Sequence, residues 1–486
     1  MKNSKKTNAG LNRRDFLKFG ALTGMFAGAS GVASACATPA SNGNFAGRAK
    51  YIIFMVSDGM SHGTLQMADL MSRRLHGRPS KWIELYEQRA VTRGLMDMTT
   101  GNASVPDSAA ASSSWGCGHR ITNGNVNMDD NENPFEPIIP IFGRHGRKTG
   151  LVTTTEITHA TPAGFTANVQ RRHMQDDIAA QYLEREVDVM LGGGRRHFDP
   201  DVREDGQDLY AGFRDKGYKV ALTKAELGQP NGFGRVLGTF TERHLPYSRD
   251  HENTEELVLD VPTLAEMSKY AIDTLYASGD GFILQIEGGR VDHAAHSMDA
   301  TGLVYDQIAF DDAIRVAWDF YLQHPDETLI VMTTDHGNAN PSLNAAGSGY
   351  NDSDPFFNRL QEFTYTNNWI MRGLNEDSSV ADIVARVGTA TGLDFERDHA
   401  RMLQQALRGE FQAAYAMKAR PMNVLGGLMS NYTAVSFTGS VHTADYVELA
   451  AAGPGSETLG PITRNTDWFG LMLTAAGIEI PEMRQS

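Results

Sequence analysis

Asp292 and His296 stand four residues apart in GFILQIEGGRVDHAAH, residues 281–296. If the segment after Gly289 is helical, both side chains project from one face. A carboxylate and an imidazole so placed suit a borderline-soft divalent cation such as zinc. The plainer reading of an isolated Asp-x-x-x-His is a capped helix start with satisfied polar groups. Glu287 closes the apolar run that begins at Phe282. It therefore marks the carboxyl end of a buried strand, where open α/β sheets bind ligands. Other apolar runs end the same way. YIIFMVS (51–57) is followed by Asp58, and ETLIVMTT (327–334) by the pair Asp335-His336, which can offer two ligands to one metal. KTGLVTTTE (148–156) leads to His159 and Thr161, and His442 lies just ahead of what reads as the last strand.

A nucleophile and a clamp complete the inventory. Pro106 and Asp107 mark a helix start and put Ser108 in its first turn. A hydroxyl there faces the positive end of the helix, which favours bound anions and stabilises an alkoxide. The small residues that follow let this helix pack tightly. The competing reading is an Asp107 N-cap beside an incidental serine. Arg171 and Arg172 read as part of a helical stretch, and arginine is a bidentate clamp for phosphoryl or carboxylate groups; a solvated basic face is the plainer alternative. DVMLGGG (188–194) lacks the Lys-Ser/Thr of a phosphate loop. It reads as a strand entering a tight turn or a close backbone approach.

The elements that must position these residues alternate strand and helix. The pattern predicts an α/β fold: a doubly wound, mostly parallel central sheet with helices on both faces. Helices are expected over 60–90, 263–278, 302–323 and 466–476. Residues 205–260 read as a polar, irregular surface excursion. Residues 340–430 read as a long insertion with helices over 380–391 and 399–420. Site-type residues at the polar ends of five separate strands are hard to explain as independent coincidences.

The 486 residues suffice for one large domain with insertions or for two domains. Residues 1–35 read as a targeting segment, with L-N-R-R-D-F-L-K resembling a twin-arginine export signal. Ala33-Ser34-Ala35 before Cys36 supports either signal-peptidase cleavage or lipoprotein processing at Cys36. Residues 36–48 then form a flexible tether. The expected location is exported, periplasmic or extracellular, with a lipid anchor at Cys36 as one form. Without residues 1–35 the chain carries 38 basic and 58 acidic residues, net −20. That balance argues against nucleic acid as a partner. An anionic substrate would need local positive charge from metals or arginine. Only Cys36 and Cys117 are present, so with Cys36 removed or lipidated no internal disulfide forms.

This ordered set closely resembles the alkaline phosphatase family. The matching motifs are S-D-G, D-S-A-A, A-T-P-A-G-F with Arg172 downstream, D-V-M-L-G-G-G, E-G-G-R-V-D-H-A-A-H, T-D-H-G and V-H-T-A-D. They span about residues 50–340 and 430–475. The resemblance implies one catalytic domain, 49–486, with 340–430 as the variable crown or lid. It implies metal-dependent hydrolysis of small phosphate monoesters at alkaline pH, through a phosphoserine on Ser108, releasing alcohol and inorganic phosphate. It further implies one zinc held by Asp58, Asp335 and His336, and a second held by Asp292, His296 and His442. A magnesium would be held by Asp58, Thr161 and Glu287, Arg172 would clamp phosphate oxygens, and a homodimer is expected. A phosphodiesterase of the same superfamily is the runner-up. A non-catalytic phosphate- or metal-binding surface protein is the reading from another class. His159 and His293 replace the Asp and Lys of the best-known bacterial member, as in animal enzymes. Weaker magnesium retention and a high alkaline optimum are expected from that exchange.

Overall fold

Every side chain of Tyr51–Val56 (β1) is buried, as its unbroken apolar sequence requires of a strand covered on both faces. The computed structural model describes residues 45–229, 234–347 and 349–482. The targeting segment, Cys36 and most of the tether fall outside these residues. Among the described residues, no helix is long and apolar enough to cross a membrane.

The remaining strands are β2 Thr92–Asp97, β3 Lys148–Glu156, β4 Val189–Gly193, β5 Lys219–Ala221, β6 Val236–Thr239 and β7 Phe282–Glu287. They are followed by β8 Thr328–Thr333, β9 Gly337–Asn338, β10 Pro341–Leu343, β11 Val435–Phe437, β12 His442–Thr443, β13 Val447–Ala452 and β14 Ile462–Arg464. Ten of them form one sheet, in the order β14-β2-β13-β8-β1-β7-β3-β4-β6-β5. All pairings are parallel except those of β13 with β8 and β2. Helices cover both faces and bury two large apolar clusters against the sheet. The fold is the expected doubly wound α/β class.

Four local expectations are corrected. The 60–90 stretch is two helices, His62–His76 and Lys81–Glu87, with Ser80 capping the second. The segment 205–260 is not an irregular excursion: its short β5 and β6 extend the sheet beyond β4. The helix expected over 399–420 ends at Leu407, and a separate helix, Pro421–Thr433, follows. His442 lies on the two-residue β12, and two strands follow it rather than one.

Register carries the site. Val56 on β1 lies level with Glu287 on β7 and with Thr333 on β8. Two residues beyond Val56 and Thr333, the chain delivers Asp58 and Asp335 at the same sheet edge as Glu287. A one-residue slip of any of these strands would turn its side chains to the opposite face. The 340–430 region has its own core, including Phe357, Ile383 and Leu425, which is continuous with Val291, Ala294 and Ala295 on the helix Arg290–His296. That region therefore buttresses the helix that carries Asp292 and His296.

Candidate active site

Asp58, Asp335 and His336 are fully buried where β1 and β8 end. His336 Nε2 lies 3.0 Å from Asp335 Oδ2 and 3.7 Å from Asp58 Oδ1. The backbone N–H of Gly59 donates to Asp335 Oδ1 at 3.0 Å. Gly59 has φ +72°, and a Cβ there would sit 2.6 Å from Asp292 Oδ1. Only glycine fits this turn between two acidic groups.

Ser108 is the first residue of the helix Ser108–Cys117, with Asp107 as N-cap accepting from Ala110 N–H. All ten residues of that helix are buried, as small side chains allow. Ser108 Oγ lies 3.3 Å from His336 Nε2. Ser112 Oγ on the same helix donates to the carbonyl of Thr161 at 2.6 Å, tying the helix to the Thr161 segment.

Asp292 and His296 share a face of the helix Arg290–His296, with His296 Nε2 3.3 Å from Asp292 Oδ2. His442 Nε2 lies 3.5 Å from Asp292 Oδ1 and 3.0 Å from His296 Nε2. The outer nitrogens are anchored to backbone: His296 Nδ1 to the Ser440 carbonyl and His442 Nδ1 to the Pro106 carbonyl, both at 2.8 Å. A carbonyl only accepts, so both Nδ1 atoms carry hydrogen and both Nε2 atoms face inward, where a neutral ring offers its lone pair to a metal. Asn338 donates to Asp292 Oδ1 at 2.6 Å.

Glu287 is buried with Thr161 beside Asp58, and Thr153 Oγ1 and Thr155 Oγ1 both donate to its Oε2. Arg172 does not lie in a helix: it sits in the turn region before the helix Gln175–Glu184. There its Nη1 donates to Asp107 Oδ2 at 3.1 Å and its Nη2 to His159 Nε2 at 3.2 Å. Arg172 is thus braced by the residue that caps the Ser108 helix. His293 receives a hydrogen bond at Nδ1 from Arg290 Nη1, at 2.7 Å.

Charge explains the strain in this cluster. Burial, reinforced by Asp335, Asp292 and Glu287, holds the Asp58 carboxyl well above its ordinary range. Burial likewise lifts Glu287 to about 7. Burial opposes ionisation of Asp335 and Asp292 too, but His336 outweighs it for Asp335 and His296 for Asp292, and both stay below the ordinary range. Burial works against protonation of His296, yet Asp292 lifts it to about 9. Burial, aided by Arg172 for His159 and by Arg290 for His293, keeps both imidazoles neutral.

The residues fit divalent cations. Both oxygens of Asp58, Oε1 of Glu287 and Oγ1 of Thr161 are buried with no hydrogen-bond partner. Leaving such atoms unsatisfied is costly unless a cation takes them up. Among the described residues, three groups converge with ligand atoms within 4.8 Å: Asp58–Asp335–His336, Asp292–His336–His442 and Asp58–His159–Glu287. Sequence reasoning missed Asn338, Thr153, Thr155 and His244. Asn338 follows Asp335-His336 closely enough to be suspected. Thr153, Thr155 and His244 have no sequence signal and are recruited by tertiary packing alone.

A doubly wound sheet that gathers buried carboxylates, imidazoles, a helix-start serine and a braced arginine at one edge defines a metal-dependent hydrolase of phosphate esters. The family model for alkaline phosphatase matches residues 49–478, and the chain belongs to that family. Its activity is hydrolysis of phosphate monoesters, by the phosphoserine route general to the family. The chain is 28% identical over 426 residues to alkaline phosphatase 4 of Bacillus subtilis, covering 86% of each. The alkaline phosphatase structure from Thermus thermophilus matches with a TM-score of 0.84 at 31% identity, over 90% of this chain and 93% of that one. A cold-active alkaline phosphatase from Shewanella matches with a TM-score of 0.71 at 26% identity, covering 89% of this chain and 100% of that one.

Proposed function

We propose that Ser108 is the nucleophile and that Arg172 clamps two phosphate oxygens. The observation that carries this reading is Ser108 Oγ at the start of a buried helix, 3.3 Å from a histidine of the Asp58–Asp335–His336 cluster. We assign two zinc ions to Asp58–Asp335–His336 and to Asp292–His296–His442, and a magnesium to Asp58–Thr161–Glu287. When bound, these ions supply the Lewis acidity that lowers the hydroxyl pKa and offsets charge on the leaving oxygen. The chain's own residues do the rest. The helix N-terminus stabilises the oxygen of Ser108 as it loses its proton. Asp107 fixes the Arg172 guanidinium, so clamping requires little reordering. Glu287 gives the third site an extra negative charge and hence the cation that best matches a monoester dianion. The leader's Arg13-Arg14 motif supports export, and a homodimer is inferred from the family resemblance.

The test compares an aryl phosphate with a bis-aryl phosphate in wild type and Ser108→Ala. We expect preference for the monoester, loss of turnover in Ser108→Ala, and unchanged zinc content in that variant. Preference for the diester, or full turnover in Ser108→Ala, overturns the reading.

A further inference from the structure

Three imidazoles, His159, His244 and His293, meet beside Arg172. Their ring centroids are 5.7 Å apart for His159–His244, 5.7 Å for His159–His293 and 4.5 Å for His244–His293. Each ring accepts a hydrogen bond from a group that can only donate. Arg172 Nη2 donates to His159 Nε2 at 3.2 Å, and the backbone N–H of Glu156 donates to His244 Nδ1 at 3.1 Å. Arg290 Nη1 donates to His293 Nδ1 at 2.7 Å. Guanidinium and peptide N–H groups have no acceptor capacity. The receiving nitrogen must therefore carry its lone pair, and each neutral ring carries its proton on the other nitrogen. His293 and His244 are then Nε2–H tautomers and His159 an Nδ1–H tautomer. His293 is only partly buried, and among the described residues its Nε2 makes no hydrogen bond to the protein, which leaves that N–H free to donate.

Arg290 is held where its guanidinium reaches His293. It is buried at 6% exposure, and its guanidinium lies 3.7 Å from the centroid of the Tyr247 ring. Its backbone N–H donates to Thr154 Oγ1 at 3.1 Å, which fixes the start of the helix bearing Asp292 and His296. We propose that Arg290 is a positioning residue for the phosphatase reaction: its donation to Nδ1 holds His293 as a neutral Nε2–H donor one ring from the Arg172 clamp. The opposite tautomer would present a lone pair to an anionic substrate. This assignment rests on the proposed roles of Ser108 and Arg172, but its first readout needs no turnover.

The experiment is nitrogen-15 NMR of the metal-loaded full chain labelled at histidine, with His293→Ala identifying the His293 signals. In wild type we expect Nδ1 of His293 unprotonated and Nε2 protonated; in Arg290→Met the two tautomers mix. In kinetics with an aryl phosphate, Arg290→Met lowers kcat about tenfold, the scale of one lost hydrogen bond to a charged group, with little change in KM. In a His293→Ala background the same substitution changes kcat less than twofold, because the group it acts through is gone. Arg290→Lys, which keeps a donor without an acceptor, recovers part of the loss. A proton on Nδ1 of His293 in wild type overturns the proposal even if the variants misfold. So does an equal loss from Arg290→Met with and without His293. Turnover in Ser108→Ala would instead sink the nucleophile assignment and leave the tautomer result standing.

Discussion

Replacing Glu287 by glutamine in the metal-free protein isolates the charge strain that the site builds into the fold. Burial lifts the Glu287 carboxyl from 4.5 to about 7, against the opposing hydrogen bond from Thr153. Below pH 4.5 this group is neutral in folded and unfolded chains alike, and its contribution to stability is fully present. Between pH 4.5 and about 7 the unfolded chain ionises while the folded one resists, so stability is lost as pH rises. Above about 7 the loss is complete, at about 3 kcal/mol from 1.36 kcal/mol per pH unit. Glutamine does not titrate and can still accept from Thr153. The assay is urea unfolding of chelator-treated protein from pH 5 to pH 8. Over that range Glu287→Gln should gain about 2.5 kcal/mol relative to wild type. With metals bound the order reverses at pH 8, because a cation favours the ionised carboxylate and glutamine supplies less charge to hold it. Parallel pH profiles for the two metal-free proteins would refute the argument, since they would show that Glu287 bears no burial penalty.

The other predictions concern the metals directly. A chelator should abolish phosphatase activity and added zinc should restore it; full activity after metals are stripped would count against every ligand assignment here. His296 sits at about 9 in the metal-free fold, so protons compete for it: apparent zinc affinity should fall by up to about tenfold per pH unit between pH 9 and 7, a dependence that His296→Ala weakens and that chelator-competition titrations can measure. Gly59→Ala must hold a left-handed backbone costing about 1–2 kcal/mol and also drives a methyl toward Asp292; lowered zinc content and a lower Tm are expected, and normal values for both would refute the crowding argument. Asn338→Leu removes the donor to Asp292 Oδ1, and zinc affinity should drop by about 10–100-fold while the fold persists, checked by metal analysis and circular dichroism.

The parts of the molecule legible in the sequence are those set by short-range pattern. β1, β7 and β8 are six-residue runs buried throughout, and their apolar sequences announce that burial. The polar residues at their exits then stand out because an acid directly after such a run has few structural uses. The helix Ser108–Cys117 was readable from its cap and small residues. What escaped depends on partners far away in sequence. β5 and β6 are three and four residues long and exist because β4 offers an edge to pair with. Arg172 reads as helical beside Arg171, yet its place is set by Asp107, 65 residues earlier. His244 sits in a polar segment with no periodicity and joins the site through the Glu156 amide.

Two levels of organisation account for the catalytic edge. Strand register places Asp58, Glu287 and Asp335 at one edge of the sheet, a rigid frame because each strand is buried on both faces. Hydrogen bonds then aim what the frame delivers: Pro106 and Ser440 carbonyls orient His442 and His296, Asn338 holds Asp292, and Asp107 holds Arg172. The second level contains the couplings. Pro106 and Asp107 precede Ser108 directly, so the segment that starts the helix of the proposed nucleophile also orients His442, a proposed metal ligand, and braces Arg172, the proposed phosphate clamp. A displacement of that segment would therefore disturb nucleophile, clamp and metal site together. This predicts strongly non-additive effects for substitutions at Asp107, Arg172 and Ser108, whereas a change at Thr153, whose hydroxyl bonds Glu287 and its neighbour Thr155, should act on the proposed third site alone.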